Sequence, residues 1–114
     1  MRKADPSGRN PPVPRPWWLA LLLPIFFVAP ALGATPAENL AMIADSIGFI
    51  VEPGREAVYD AEHFSDGFKA DRGYALATLR AAREAGARSL VLCDTNGGTL
   101  TDELLAIVDD TRIA

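Results

Sequence analysis

The sequence holds one cysteine, Cys93, and one histidine, His63, among 114 residues. A single cysteine excludes an intrachain disulfide framework. One cysteine and one histidine together exclude a zinc finger, and any metal site that needs two histidines from this chain. Basic side chains are scarce after residue 35: residues 36–114 carry seven against fourteen acidic ones. That balance excludes the concentrated basic face that phosphate backbones require, so no nucleic-acid partner is expected. The longest apolar run, Trp17–Ala29, has 13 residues, short of the about 20 that a membrane-spanning helix needs.

What is present is unevenly distributed. Residues 1–35 carry four basic side chains and one acidic one, and seven of the nine prolines fall within residues 1–30. Residues 1–16 are basic and proline-rich, and are expected to be disordered. Residues 17–34 form a hydrophobic segment with small residues at Ala29, Ala31, Gly33 and Ala34. A basic start, a short apolar core and small residues make a signal peptide one reading. A membrane anchor is a second, weakened by the short length and by Pro24. A third is foreign sequence, joined by a mis-called start or a frameshift to a truncated body.

The body, residues 35–114, has an alternating pattern. Thr35-Pro36-Ala37-Glu38 is a helix start with a capping box and proline in the first turn. Leu40, Ile43, Ile47 and Ile50 recur at helical spacing, and the helix should end near Val51, before Pro53-Gly54. Glu56–Ala61 reads as a strand. Ser65-Asp66-Gly67 reads as a turn. Asp71 caps a second helix that runs to about Ala85 and is terminated by Gly86. Ser89–Cys93 is a nearly continuous apolar run, expected to be a strand buried on both faces. Asp94–Thr99 is a polar turn, and Thr101 is expected to cap a last helix. Alternating strands and helices predict an α/β fold with a parallel sheet. Only two strands are counted, so the body resembles a sector of a larger fold with edges to be covered.

In such folds the chemistry lies at the carboxyl ends of the strands. Those ends carry Asp60-Ala61-Glu62-His63 and Asp94-Thr95-Asn96-Gly97-Gly98. Strand alternation places Val58, Asp60 and Glu62 on one side of the first strand, and Val91, Cys93 and Thr95 on one side of the second. Asp94 and Asn96 also suit turn closure, His63 suits a loop, and Cys93 suits inert core. Glu62 adjoins an apolar strand, and its carboxylate therefore needs a partner or a ligand.

Two segments resemble a known family. Gly54–Asp71 (GREAVYDAEHFSDGFKAD) and Leu90–Leu100 (LVLCDTNGGTL) are similar to the citramalate synthases, which group with 2-isopropylmalate synthases, homocitrate synthases and hydroxymethylglutaryl-CoA lyases. The spacer, with Tyr74-Ala75-Leu76 and Glu84-Ala85-Gly86-Ala87, fits as well, and the likeness reaches back to about Ala31. Ser65 stands where the family usually has an aromatic residue, and Phe68 where it usually has tyrosine. The resemblance implies a fragment of a (β/α)8 barrel, with about two βα units plus a preceding helix, and with residues 17–34 outside the barrel. It implies condensation of acetyl-CoA with a 2-oxo acid, pyruvate, to give citramalate for isoleucine synthesis by a homodimeric cytoplasmic enzyme. It places Asp60 and Glu62 at the end of the fifth barrel strand, and Thr95 at the end of the sixth as a hydrogen-bond donor to the oxo-acid carboxylate. His63, Asp94 and Asn96 become neighbouring loop residues. The family uses a divalent metal, Mg²⁺ or Mn²⁺, held by an aspartate after the first strand and two histidines on the seventh. This chain is expected to hold none, and to be inactive by itself.

Other readings stand beside this one. A related 2-isopropylmalate or homocitrate synthase fragment is the nearest. A haloacid dehalogenase-type phosphatase would use the outline Asp94-Thr95-Asn96-Gly97, although Asn96 replaces an acid that does proton work. A membrane-inserted or exported non-enzymatic protein would use residues 17–33. A fragment that acts only with a separately encoded remainder is the last.

Overall fold

A computed structural model describes the main chain of residues 19–24 and all of residues 33–114. The expectations for residues 1–16, for Trp17-Trp18 and for Ala29 and Ala31 lie outside the described residues.

The first helix, α1 (Pro36–Val51), forms as its residues require. The Thr35 hydroxyl accepts from the Glu38 amide at 3.2 Å, and the Glu38 carboxylate accepts from the Thr35 amide at 2.7 Å. This reciprocal box satisfies two amides that the first turn leaves without partners. Asn39, Ile43, Ile47 and Ile50 form its buried stripe. Asn39 takes the place expected of Leu40 because its amide meets a partner inside, donating to the Tyr74 hydroxyl at 2.6 Å.

Strand β2 (Ala57–Glu62) follows, then a short helix α2 (Phe64–Ala70), helix α3 (Arg72–Glu84), strand β3 (Ser89–Leu92) and helix α4 (Thr101–Ile113). Asp71 caps α3 by accepting from the Tyr74 amide at 2.9 Å. Gly86 ends the following turn at φ 103°, a conformation open to glycine without strain. Three local expectations change. Ser65-Asp66-Gly67 is helical rather than a turn, because Phe64 and Ser65 are buried and draw the segment onto the core. The cap residue of α4 is Leu100, and Thr101 is its first helical residue. β3 is not buried on both faces: Leu90 and Leu92 pack against the core, whereas Ser89 and Val91 are exposed.

The sheet also has a strand more than expected. β1 (Leu19–Pro24) pairs in parallel with β2, from Leu19 opposite Ala57 to Pro24 opposite Glu62. β2 pairs in parallel with β3, Val58 opposite Ser89 and Asp60 opposite Val91, so the order is β1-β2-β3. The apolar run, expected to lie outside the α/β body, thus supplies main chain to its sheet. Hydrophobicity alone does not separate a leader from a buried strand, and β2 has a second edge that needs a hydrogen-bonding neighbour.

The helices and the sheet share one core. Ala57, Tyr59 and Ala61 of β2 are fully buried with Ile43, Ile47, Phe64, Ala75 and Ala82, and Ile107 of α4 joins them. A bidentate ion pair from Arg72 to Asp110, both contacts 2.6 Å, ties α3 to α4. Among the described residues, no helix is long and apolar enough to cross a membrane.

Candidate functional site

The alternation of β2 divides its residues as expected. Ala57, Tyr59 and Ala61 face the helices, and Val58, Asp60 and Glu62 are half-buried on the opposite side. The register brings Val91 beside Asp60 on that same side. Cys93, just past the end of β3, follows it and donates its thiol to Asp60 Oδ1 at 2.6 Å. Burial pushes the Cys93 thiol up to about 11, helped by that hydrogen bond and by the charges of Asp60 and Glu62. At neutral pH the group is therefore a thiol and a donor, not a nucleophilic thiolate. Sequence reasoning took Cys93 as inert core. Its place on the Val91–Thr95 side was the signal that it meets the carboxylates instead.

The two strand ends are joined by main-chain and side-chain contacts. The Cys93 amide donates to the Ala61 carbonyl at 3.2 Å, and the Ser65 amide donates to the Cys93 carbonyl at 3.4 Å. The His63 amide donates to Thr95 Oγ1 at 2.7 Å. His63 adopts a left-handed backbone conformation, φ 58° and ψ 24°. That geometry costs a residue with a side chain about 1–2 kcal/mol, and histidine is among the types that enter it more often than most. The imidazole Nδ1 lies 4.0 Å from the Asp66 carboxylate. The Asn96 amide donates to the same carboxylate at 2.7 Å.

Asp94 closes the loop after β3. The Thr99 hydroxyl donates to one carboxylate oxygen at 2.7 Å and the Thr99 amide to the other at 3.2 Å. The Thr99 hydroxyl chiefly holds the Asp94 carboxyl below its ordinary range, with further help from the Ser65 hydroxyl and the Lys69 charge. Ser65 is buried, and its hydroxyl contributes a smaller part to holding the Asp94 carboxyl down. Phe68 packs its ring 5.8 Å from that of Phe64 and lies under the Arg72 guanidinium.

The candidate residues thus separate into two groups. His63 with Thr95, and Asp66 with Asn96, hold the two loops to each other, while Asp94 closes its own loop on Thr99. Asp60, Glu62, Cys93 and Thr95 line the helix-free side and the mouth above it. Among the described residues no set of three His, Cys, Asp or Glu side chains could hold a metal ion. The described residues therefore do not fit the divalent metal that the resemblance implies.

The carboxylates Asp60 and Glu62 and the Thr95 hydroxyl lie at the carboxyl ends of parallel strands, the place where open α/β folds bind their ligands. Comparison with known proteins narrows that class. No family model matches the chain. The (R)-citramalate synthase of Synechocystis sp. is 51% identical over 85 residues, which is 75% of this chain and 16% of that protein. That of Geobacter sulfurreducens is 48% identical over 87 residues, 76% of this chain and 16% of the relative. That of Sulfolobus acidocaldarius is 52% identical over 73 residues, 64% of this chain and 14% of the relative. The chain spans about one sixth of the length of these curated relatives. Most of it is a segment similar to part of a citramalate synthase, as the two loop motifs indicated. The phosphatase outline is not favoured: both Asp94 oxygens are engaged by Thr99, and the Asn96 amide is turned to Asp66.

Proposed function

We propose that residues 33–114 are a sector of a (β/α)8 barrel of the citramalate synthase type, and that the mouth of β2 and β3 receives the 2-oxo acid. The observation that carries this reading is the sidedness of β2. Its small and aromatic residues meet the helices, and Asp60 and Glu62 face away from them, toward what would be the barrel interior. Thr95 then donates its hydroxyl to the carboxylate of pyruvate, which adds no charge of its own to the site. Asp60 and Glu62 line the same chamber, and the Cys93 thiol fixes one Asp60 oxygen. The reaction served is the condensation of acetyl-CoA with pyruvate to citramalate, a step toward isoleucine, with a divalent metal supplied by other parts of a complete barrel. A barrel of this kind takes about 250 residues, so turnover belongs to the complete assembly, a cytoplasmic homodimer in this reading, and not to this sector alone.

The test is a segment exchange. Residues 33–114 replace the matching segment of the Synechocystis enzyme, and CoA release is followed with acetyl-CoA and pyruvate. The exchanged enzyme is expected to retain activity, and Thr95→Val within it to raise the KM for pyruvate by about tenfold, the loss of one hydrogen bond to a charged group. A folded, dimeric exchange protein without activity, or a Thr95→Val form with unchanged KM, refutes the reading.

A further inference from the structure

We infer that His63 is a positioning residue that acts through its main chain: its left-handed conformation holds its amide on Thr95 Oγ1 and so leaves the Thr95 hydroxyl hydrogen free to point at a substrate carboxylate. The inference rests on the reading of Thr95 as a 2-oxo acid donor. It starts from the only residue with a side chain that is described at positive φ, His63 at 58°. That conformation sits between the end of β2 and the first turn of α2, and it lets the chain turn into α2 while the His63 amide stays on the loop after β3. The amide meets Thr95 Oγ1 at 2.7 Å, across a sequence separation of 32 residues.

A threonine hydroxyl has one hydrogen to give and lone pairs to accept with. Left alone it turns freely, or bonds to its own neighbouring main chain. Here an amide from the other strand end occupies a lone pair, and among the described residues the hydroxyl donates to none. The amide excludes the hydroxyl hydrogen from its own side and leaves the remaining rotamers, turned away from residue 63, for donation. The imidazole has separate employment beside Asp66, 4.0 Å from its carboxylate, and is not needed for this role. The requirement is therefore for a residue that tolerates the left-handed conformation and has an N–H, not for a titrating ring.

The segment-exchange enzyme, labelled with ¹⁵N and with ¹³C at its threonine methyls, allows a direct test. Amide exchange at residue 63 and the response of the Thr95 amide and methyl signals to sodium pyruvate are measured together. Thr95→Val is expected to speed exchange at residue 63 by roughly fivefold, the value of one ordinary hydrogen bond. His63→Gly and His63→Asn, which accept positive φ, should keep both the protection and the pyruvate affinity within about twofold. His63→Val, which resists it, should lose the protection and weaken pyruvate binding by roughly tenfold. His63→Gly as defective as His63→Val overturns the inference, because the ring would then be the working part. So does exchange at residue 63 that is indifferent to Thr95→Val. Thr95 signals that ignore pyruvate in the unsubstituted exchange enzyme overturn the oxo-acid reading instead, and the exchange rates still decide whether residue 63 fixes the hydroxyl.

Discussion

Strands β2 and β3 lie side by side in one sheet, yet composition and burial run in opposite directions along them. β2, AVYDAE, carries two carboxylates among six residues, and it buries Ala57, Tyr59 and Ala61 completely. β3, SLVL, is almost wholly apolar, and it leaves Val91 42% exposed. The difference is one of place. β2 has a strand on each side and helices across one face, whereas β3 is the outermost strand among the described residues. A central strand can carry carboxylates because its other face supplies the burial. An outer strand keeps apolar residues that nothing described covers, as a strand does when its free edge and outer face belong against further structure.

The largest effect that tests this contrast is on stability. Tyr59→Ala should cost about 3–5 kcal/mol, the range for removing a large buried ring. Val91→Ala should cost less than about 1 kcal/mol, since a surface site loses little. Urea titration of the full chain reads both. Equal losses would break the comparison, because β3 would then be as central to the fold as β2.

An alkaline titration separates the strands by another route. Burial pushes the Tyr59 hydroxyl up from 10 to about 12. The unfolded chain therefore loses this proton first. The stabilisation is complete below pH 10 and is lost as the pH rises to 12, by about 3 kcal/mol at most for a shift of this size. Cys93, at the end of β3, has its thiol raised to about 11, so its smaller contribution fades between pH 9 and 11. Tyr59→Phe should remove the later loss and Cys93→Ala the earlier one. Unfolding that begins at the same pH in both variants would show that neither group sets it.

The same contrast explains what was legible in the sequence. The capping box at Thr35, the cap at Asp71, the Gly86 terminator and the sidedness of Asp60 and Glu62 rest on near neighbours, and local patterns report near neighbours well. The burial of β3 depends on what lies beside it, which its own four residues do not encode. The strand Leu19–Pro24 was read by its hydrophobicity and basic flank, while the reason for its pairing lay in the open edge of β2, 38 residues away in every register pair from Leu19 with Ala57 to Pro24 with Glu62. The helical α2 was hidden by turn-forming residues that tertiary burial of Phe64 and Ser65 overrides. In the candidate site, the loop residues were legible as a group. Their separate roles needed the geometry, because Asp94 and Thr95 are adjacent in sequence, yet Asp94 meets Thr99 of its own loop and Thr95 meets the His63 amide of the other.

The smallest expected effect follows from that division. Asp94 is held ionised by the Thr99 hydroxyl and amide, below its ordinary 3.8. A depressed carboxyl stabilises its loop fully above pH 3.8, and that contribution is lost as the pH falls through the lowered value. Asp94→Asn should mimic the acid form at neutral pH. One carboxylate oxygen becomes a donor and can no longer accept from Thr99, so exchange at the Thr99 amide should speed by roughly fivefold. The β2 amides should not change, because the lost bonds close a loop at the rim of the sheet and not the pairing at its centre. If β2 exchange rises in step with Thr99, the loop after β3 is coupled to the core, and the outer strand is then held as firmly as the inner one.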